Sequence, residues 1–188
     1  MAAKACLSWL ASSASENARA EAGLCDPVGI MLEVRRARPD EAEVLLDLIR
    51  ALAGYEKLDP PAPDAQQRLV RDIFGEKPRL DAFLVFHDGQ PAGYALVFES
   101  YSSFLALPTL YLEDIFVKVE FRGCGAGAAL FLEMVAEADR RGCGRMEWTV
   151  LDWNRLALDF YARFGATHMK EWQLMRLVRD DFTRILKQ

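Results

Sequence analysis

A strand that runs into a glycine-rich turn and then into a helix constrains the fold of this chain more than any other feature. Alternation predicts a strand over Leu110–Val117, and the turn that follows reads Arg-Gly-Cys-Gly-Ala-Gly-Ala over residues 122–128. Apolar residues then recur at helical spacing from Leu130 to Ala138. The first turn of a helix leaves backbone N–H groups without acceptors and carries the positive end of the helix dipole, so it attracts phosphate. The segment therefore predicts a phosphate-binding turn, with an ordinary glycine-rich turn as the alternative.

The spacing of the glycines distinguishes this turn from a dinucleotide-binding loop. Gly123, Gly125 and Gly127 follow the pattern GxGxG, whereas dinucleotide-binding folds use GxGxxG. Glycine has no Cβ, so the backbone of the turn can approach an anion closely. A dinucleotide site is therefore the less favoured interpretation.

The rest of the chain alternates between strand and helix patterns. Asp88-Gly89 is a strong hairpin signal between two of the strands. The further predicted strands are Leu32–Arg36, Ala82–His87, Ala92–Tyr101, Met146–Leu151 and Trp172–Val178. The further predicted helices are Asp40–Ala53 with Gly54 as its stop signal, Asp64–Phe74 with Asp64 and Gln67 as a capping box, and a helix from the cap Asn154 to Arg163. This order predicts an α/β fold with a mixed sheet between helices in three layers.

Length and composition predict one globular domain. The chain has 188 residues, of which 52% are hydrophobic and 27% charged, and no apolar run approaches the roughly 20 residues of a membrane span. Lys and Arg are scattered at a net charge of −5, which argues against a nucleic-acid partner. The four cysteines form no CxxC pair and there are only two histidines, so we expect no metal site. We also expect reduced thiols, no membrane contact and a cytoplasmic location.

The first 30 residues differ in composition from the rest. They are rich in Ala and Ser and hold only a short apolar stretch. We expect residues 1–30 to be a poorly ordered extension and residues 31–188 to be the folded domain, with Met31 as an alternative start. A signal or transit peptide is the alternative for this segment, although no charged region, apolar region and cleavage site follow one another.

Several segments together resemble one enzyme family. Arg122-x-x-Gly125-x-Gly127 resembles the pyrophosphate-binding motif of the GNAT superfamily of N-acetyltransferases. The wider chain resembles the spermidine/spermine (diamine) N-acetyltransferase branch, in Leu52–Glu56, Phe74–Pro78, Tyr111–Val117 and Asp159–Ala166. This resemblance implies the GNAT fold, with a mixed, mostly antiparallel central sheet flanked by helices. It also implies an N-acetyltransferase that uses acetyl-CoA as co-substrate and forms a homodimer.

The resemblance also implies which residues hold coenzyme A. The pyrophosphate would lie against Arg122 and the backbone amides of Gly123, Cys124, Gly125, Ala126, Gly127 and Ala128. The pantetheine amides would pair with Ile115, Phe116 and Val117 like an added strand. Asn154 would lie against the pantetheine arm, although its position fits a simple helix cap equally well. Arg163 would reach the nucleotide phosphates, and Tyr161 would lie near the thioester.

Two residues match the family's catalytic positions. Tyr161 would be the general acid, because a phenol with a pKa near 10 can protonate a departing thiolate whose thiol has a pKa near 8.5. A buried aromatic core residue is the alternative for this tyrosine. Glu113 would be the base, acting directly or through a water, because an alkylammonium must lose a proton before it attacks. Asp114 is the neighbour of Glu113 on a strand, so the two point to opposite faces, and we expect a structural role for Asp114.

The amine would be recognised by acidic and aromatic groups. Tyr55 and Glu56 match the family's substrate-binding pair, Glu113 would contribute, and Glu171 corresponds approximately to a further acidic contact. The expected substrate is a diamine or a polyamine. Because Lys57 would repel a polyamine, a thialysine-like amino acid is expected as well. The alternatives are a GNAT enzyme for a protein, peptide or antibiotic amine, and a non-catalytic acyl-CoA sensor. Glu113 and Tyr161 together argue against the sensor, because binding alone needs neither group.

An apolar stretch bears on the expected homodimer. Phe98–Leu110 is longer and more apolar than a solvent-facing connection should be. We expect it to lie at the dimer interface, with burial in its own subunit as the alternative.

Overall fold

The structure is a computed structural model that describes residues 31–187. The predicted extension over residues 1–30 lies outside the described residues, and the boundary predicted at Met31 stays a prediction. The chain divides into two compact units, one ending at Thr149 and the other beginning at Val150. Each unit is described by itself below.

A five-stranded sheet forms the centre of the first unit. Its strands are β1 (Leu32–Arg36), β2 (Asp81–His87), β3 (Gln90–Ser102), β4 (Leu107–Val117) and β5 (Arg145–Glu147), and they lie side by side in that order. The first four strands are antiparallel, and β5 pairs with β4 in parallel. The structure thereby confirms the predicted mixed, mostly antiparallel sheet.

Helices cover both faces of this sheet. The α-helices of the first unit are α1 (Ala42–Glu56), α2 (Pro63–Phe74) and α3 (Ala126–Arg140). Helices α1 and α2 bury Leu45, Leu48 and Ile73 in one core with the strand residues Ala82, Leu84, Phe86, Tyr94, Leu96 and Phe116. Successive strand residues point to opposite faces, so Phe83, Val85, Ala95 and Val97 are buried on the other face, which α3 covers. These three layers confirm the predicted α/β/α class.

The β2–β3 hairpin forms as the sequence predicts. Asp88 and Gly89 have φ angles of 50° and 77°, the left-handed conformation that a two-residue hairpin turn requires at both positions. The Asp88 carboxylate also accepts a hydrogen bond of 2.9 Å from the backbone amide of Met31. The turn thus contacts the residue at the start of β1.

The ends of two helices differ from the prediction. Helix α1 continues through Gly54 to Glu56, and Lys57 ends it in the left-handed conformation with a φ of 59°. The expected stop at Gly54 is therefore wrong, because glycine weakens a helix without ending it. Helix α2 begins at Pro63, and the Asp64 carboxylate pairs with Arg68 one turn on at 2.5 Å. The predicted capping box is wrong, because Asp64 is the second residue of the helix and the N-cap position is held by Ala62, whose side chain cannot accept a hydrogen bond.

The second unit contains two short helices, α4 (Arg155–Arg163) and α5 (Arg179–Ile185). Asn154 caps α4, since its side-chain oxygen accepts a hydrogen bond of 3.2 Å from the backbone amide of Ala157. The predicted strand over Trp172–Val178 is not formed; these residues are exposed and lie outside the helices and strands of residues 31–187. A strand needs a neighbour for its backbone groups, and apolar composition does not supply one. The predicted strand over Met146–Leu151 is the shorter β5.

None of the helices within residues 31–187 combines the length and apolar character needed to cross a bilayer.

A buried carboxylate ties α3 to the sheet. Glu137 is 5% exposed and forms ion pairs with Arg36 of β1, with Arg140 at 2.6 Å and with Arg141 at 2.6 Å. Burial by itself raises the pKa of Glu137, but the hydrogen bonds from Arg141 and Arg140 lower it to about 2. Arg141 also pairs with Asp81 of β2 at 2.6 Å. One carboxylate therefore organises charges from three elements.

We expect Glu137→Gln to lower the free energy of unfolding by about 2 kcal/mol at neutral pH, because three guanidinium groups would then surround an uncharged amide. The folded pKa lies below the ordinary value, so the contribution of Glu137 is present above that value and is lost as the pH falls toward about 2. Urea unfolding measures both effects. The control is Glu133→Gln, which removes only a partner of the half-exposed Arg140 and should cost less than about 1 kcal/mol. Equal losses in the two variants would contradict this account.

Candidate active site

A β-bulge places Glu113 in the centre of the sheet's longest hairpin. Leu96 lies opposite Asp114, but the next residue Val97 lies opposite Leu112, so Glu113 is the extra residue on β4. A bulge takes such a residue out of the regular ladder and re-aims nearby side chains. Glu113 is exposed at this point.

The bulge also exchanges the faces of β4. Residues directly opposite each other in a sheet share a face, so Leu112 lies on the α3 side with Val97. Beyond the bulge, Phe116 lies opposite Tyr94 and belongs to the core beneath α1 and α2. Asp114 follows the same phase as Phe116 and therefore enters the α1 and α2 side.

Asp114 is a largely buried carboxyl group in this core. It accepts a hydrogen bond of 3.0 Å from the hydroxyl of Tyr94, a residue that is 0% exposed. Burial raises the pKa of Asp114 to about 6; the hydrogen bond from Tyr94 opposes the rise, and the negative charges of Glu113 and Glu56 add to it. Burial, followed by the charge of Asp114, raises the pKa of Tyr94 well above its usual range. Carboxylates of α1 and β4 thus act together on Asp114.

The edge of β4 that faces β5 is only partly used. Strand β5 pairs with β4 at Thr109, Leu110 and Tyr111. Within the described residues no strand pairs with this edge from Leu112 to Val117, since β3 occupies the opposite edge over the same stretch. Of the three predicted pantetheine contacts, Phe116 and Val117 are buried and Ile115 is half-buried. This edge offers backbone groups to an extended ligand.

We term residues 122–128 the glycine turn. Its backbone conformation explains why glycine occupies positions 123 and 125. Gly123 and Gly125 have φ angles of 80° and 88°, which residues with a Cβ rarely adopt. Gly125 is the N-cap of α3, and the amide of Ala129 makes a hydrogen bond of 2.9 Å to its carbonyl oxygen. The amides of residues 126–128 precede that bond and have no acceptor within the helix. The turn therefore presents donors of the kind that bind phosphate.

The thiol of Cys124 is directed back into the turn. It donates a hydrogen bond of 2.9 Å to the backbone carbonyl of Phe121. The side chain thus fastens the turn to the chain that precedes it, and the backbone of Cys124 remains the group that a phosphate would contact.

Arg122 connects the glycine turn to α1. Its Nε donates a hydrogen bond of 3.0 Å to the carbonyl oxygen of Val117. Its guanidinium carbon lies 4.6 Å from the centre of the Tyr55 ring and 5.9 Å from that of Phe116. Predicted residues for the co-substrate and for the amine therefore meet in the first unit.

The predicted amine-binding residues Tyr55 and Glu56 lie in the last turn of α1. Tyr55 and Glu56 are half-buried, and the Tyr55 and Phe116 ring centres are 6.4 Å apart. Lys57, which was expected to repel a polyamine, is exposed at the left-handed cap. The continuation of α1 beyond Gly54 is what brings Tyr55 and Glu56 onto the helix.

The other predicted residues lie in the second unit, and three of them share α4 and its cap. Tyr161 is buried there, and burial raises its pKa to about 12. Its ring centre lies 5.3 Å from that of Phe160. The guanidinium carbon of Arg163 lies over the Phe160 ring, 5.7 Å from the ring centre. Asn154 caps the same helix. Glu171 is exposed in the segment between α4 and α5, apart from these groups in sequence.

Sequence reasoning overlooked Tyr94 and the contact between Arg122 and Tyr55. A signal for Tyr94 was available, because it is a tyrosine within an otherwise apolar strand, and a buried hydroxyl requires a hydrogen-bond partner. The contact of Arg122 depends on where α1 ends, and no local pattern predicts it. Within residues 31–187 no group of three or more His, Cys, Asp or Glu side chains is arranged to hold a metal ion.

Comparisons with known proteins give one family and several relatives. Residues 45–166 match the acetyltransferase (GNAT) family. Thialysine N-epsilon-acetyltransferase from Bos taurus is 36% identical over 154 residues, which cover 76% of this chain and 90% of that protein. L-ornithine N5-acetyltransferase NATA1 from Arabidopsis thaliana is 41% identical over 118 residues, which cover 62% of this chain and 52% of that protein. Spermidine/spermine N(1)-acetyltransferase-like protein 1 from Homo sapiens is 26% identical over 159 residues, 79% of this chain and 23% of that protein.

Solved structures share the fold. An integron cassette protein from V. cholerae has a TM-score of 0.68 at 21% identity and covers 85% of this chain and 100% of its own. A probable acetyltransferase has a TM-score of 0.69 at 18% identity and covers 78% of this chain and 97% of its own. At these identities the likeness concerns the fold alone.

We expect Asp114→Asn to weaken the pH dependence of stability between about pH 5 and about pH 7.5. The folded pKa of about 6 lies above the ordinary value, so the folded state binds this proton more tightly than the unfolded state does. Stability therefore gains from Asp114 as the pH falls through 6 and loses that gain as the pH rises. Urea unfolding at the two pH values should show a smaller difference for the variant than for the parent.

Tyr94→Phe is the matched variant for this test. It removes the hydroxyl that stabilises the charged carboxylate, so the pKa of Asp114 should rise further and the difference between the two pH values should grow. The same pH difference in the parent and both variants would show that Asp114 does not titrate in this range.

Proposed function

Because this chain belongs to the GNAT family of acetyltransferases, we propose that it transfers an acetyl group from acetyl-CoA to a primary amine of a small cationic substrate. Relatives that act on thialysine and ornithine, by their names, support this class of substrate. We favour an amino-acid side-chain amine or a diamine over a long polyamine, because Lys57 adds a positive charge next to Tyr55 and Glu56.

The observation that carries the proposal is the edge of β4 between the bulge and the glycine turn. From Leu112 to Val117 no strand within the described residues pairs with this edge. The edge leads through a short segment to the N-terminus of α3, and helix N-termini attract phosphate. Backbone groups of Ile115, Phe116 and Val117 would pair with the pantetheine amides, and the amides of residues 123–128 would hold the pyrophosphate. Acetyl-CoA supplies the activated acetyl group. The extended edge and the compact turn fit its two ends.

Glu113 is the proposed base. At neutral pH an alkylammonium with a pKa near 10.4 must give up a proton at a cost of about 4.6 kcal/mol before its nitrogen can attack. A carboxylate that removes this proton, directly or through a water, provides the route. Its exposed position at the bulge supports this role, because the amine must reach it from solvent.

Tyr161 is the proposed acid. Attack by the amine breaks the carbon–sulfur bond and leaves a thiolate, which needs a proton. Burial raises the pKa of Tyr161 to about 12, so its phenol is protonated at neutral pH, as a proton donor must be. Asn154 and Arg163 on the same helix are proposed to contact the pantetheine arm and the nucleotide phosphates. Glu171 remains a proposed substrate contact.

We also propose that the chain works as a cytoplasmic homodimer. The turn end of the β3–β4 hairpin exposes Tyr101, Phe104, Leu105 and Leu107, which are 68%, 98%, 46% and 43% exposed. Exposed apolar side chains in one place are typical of a protein interface.

Release of coenzyme A from acetyl-CoA in the presence of an amine panel tests the proposed function. The panel contains thialysine, lysine, ornithine, short diamines, spermidine, a basic peptide and an aminoglycoside. We expect release with the small amines. An acyl-CoA sensor would bind acetyl-CoA and release none, and release with the peptide or the aminoglycoside alone would favour the alternative substrates.

The phosphate assignment is tested with Gly125→Asp and Gly125→Asn. Both side chains impose the same strain at a φ of 88°, but only the aspartate adds a negative charge. Acetyl-CoA should raise the thermal midpoint of the parent by binding the folded state. We expect Gly125→Asp to bind acetyl-CoA at least about tenfold more weakly than Gly125→Asn, because of charge repulsion. Equal affinities would remove the pyrophosphate from this turn.

The two proton-transfer roles are separated by Tyr161→Phe and Glu113→Gln. Tyr161→Phe keeps the ring, so the fold and the affinity for acetyl-CoA should survive while the rate falls by about 10²- to 10⁴-fold. The loss should be smaller with an acyl donor whose thiol leaves more easily. Glu113→Gln should regain part of its lost activity as the pH rises toward the pKa of the amine, because solution then removes the proton.

Steady-state rates across pH with both variants measure these effects. Full activity of Tyr161→Phe would exclude the tyrosine from the mechanism. A defect of Glu113→Gln that stays constant from neutral to alkaline pH would assign Glu113 to positioning, with another group or water as the base.

A further inference from the structure

We infer that Arg122 is a positioning residue for the acceptor amine, because its guanidinium holds the ring of Tyr55 in place on the last turn of α1. This inference rests on the proposed function, in which Tyr55 and Glu56 bind the amine. It assigns to Arg122 a task beyond the pyrophosphate contact that its motif implies.

The side chain of Arg122 is held at two points. Its Nε donates to the carbonyl oxygen of Val117 at 3.0 Å, which fixes the plane of the guanidinium relative to the end of β4. The guanidinium carbon then lies 4.6 Å from the Tyr55 ring centre, well within the range of a cation–π contact. Held in this way, the side chain of Arg122 faces α1. The backbone amides of the glycine turn take no part in this contact.

The ring of Tyr55 has a second neighbour, the aromatic ring of Phe116 on β4. Phe116 lies 6.4 Å from Tyr55 and 5.9 Å from the guanidinium carbon of Arg122, measured to ring centres. The three side chains form one group that joins the end of α1, the end of β4 and the start of the glycine turn. We call this group the Arg122 stack.

The Arg122 stack links the two halves of the proposed reaction. Glu56 follows Tyr55 in the helix, and its negative charge influences Asp114 on β4. A shift of the Tyr55 ring would therefore alter the amine-binding surface next to Glu56 and Asp114. Because Arg122 directly precedes Gly123, ordering of the glycine turn by the co-substrate would also order Tyr55. The Michaelis constant for the amine is the quantity that should report this coupling.

A double-mutant cycle between the two positions tests the inference. The variants are Arg122→Gln, Tyr55→Leu, which removes the ring, and Tyr55→Phe, which keeps it. Arg122→Gln is made in the parent and in both Tyr55 backgrounds. Thermal midpoints are measured without ligands, and KM for the amine, kcat and the acetyl-CoA dissociation constant are measured separately.

We expect Arg122→Gln to raise KM for the amine by about 2- to 5-fold in the parent, the factor that corresponds to a partly exposed cation–π contact. The increase should persist in the Tyr55→Phe background and disappear in the Tyr55→Leu background, since contacting residues are not additive. The fall in thermal midpoint should follow the same pattern.

Equal effects of Arg122→Gln on KM in all three backgrounds would overturn the inference, as would a change confined to the affinity for acetyl-CoA. Coupling in the thermal midpoints without coupling in KM would assign the stack to stability and would equally remove the positioning role. Failure of the parent to acetylate any amine is a different result: it would overturn the proposed function, and the positioning role with it.

Discussion

One extra residue in β4 determines how the candidate site is assembled. Without the bulge at Glu113, Asp114 and Phe116 would lie on the same face as Leu112, against α3. With it, they turn toward α1 and α2, where Tyr94 binds the carboxyl group and Tyr55 meets Phe116. The carboxylate proposed as the base, the buried carboxyl group and the Arg122 stack all depend on this change of phase.

The same bulge explains where sequence reasoning stopped. Alternation predicted opposite faces for Glu113 and Asp114, which assumes a regular strand. A bulge has no reliable local signature here, because the residue that it inserts is an ordinary glutamate within a continuous strand pattern. Register comes from pairing with β3, and only the folded sheet specifies it.

Other features were predictable because a local conformation demands a particular residue type. Asp88-Gly89 predicted the hairpin, and Gly123 and Gly125 predicted a tight turn before α3, since left-handed backbone favours these residues. Errors arose where a local sequence signal did not by itself determine the structure. Gly54 did not end α1, and the apolar segment 172–178 did not form a strand, because composition alone supplies no pairing partner.

Two carboxyl groups in the first unit show how surroundings decide the charge of a side chain. Glu137 is buried among arginines that hold its pKa near 2, so it remains a fixed negative charge that joins α3 to the sheet. Asp114 is buried beside a phenol and other carboxylates, and its pKa is about 6. One is suited to architecture, and the other exchanges its proton near neutral pH.

The distance along β4 has a consequence for the choice of acyl donor. Val117 lies four residue steps beyond Glu113, which corresponds to about 13 Å of strand before the chain turns toward Gly123. Under the proposed function, a donor anchored by its phosphates at the turn reaches the carboxylate only if its arm has a matching length. The length of the strand then sets the required length of the donor. Thioesters of shorter carriers would end before they meet the amine, so the enzyme would select its donor by length as well as by affinity.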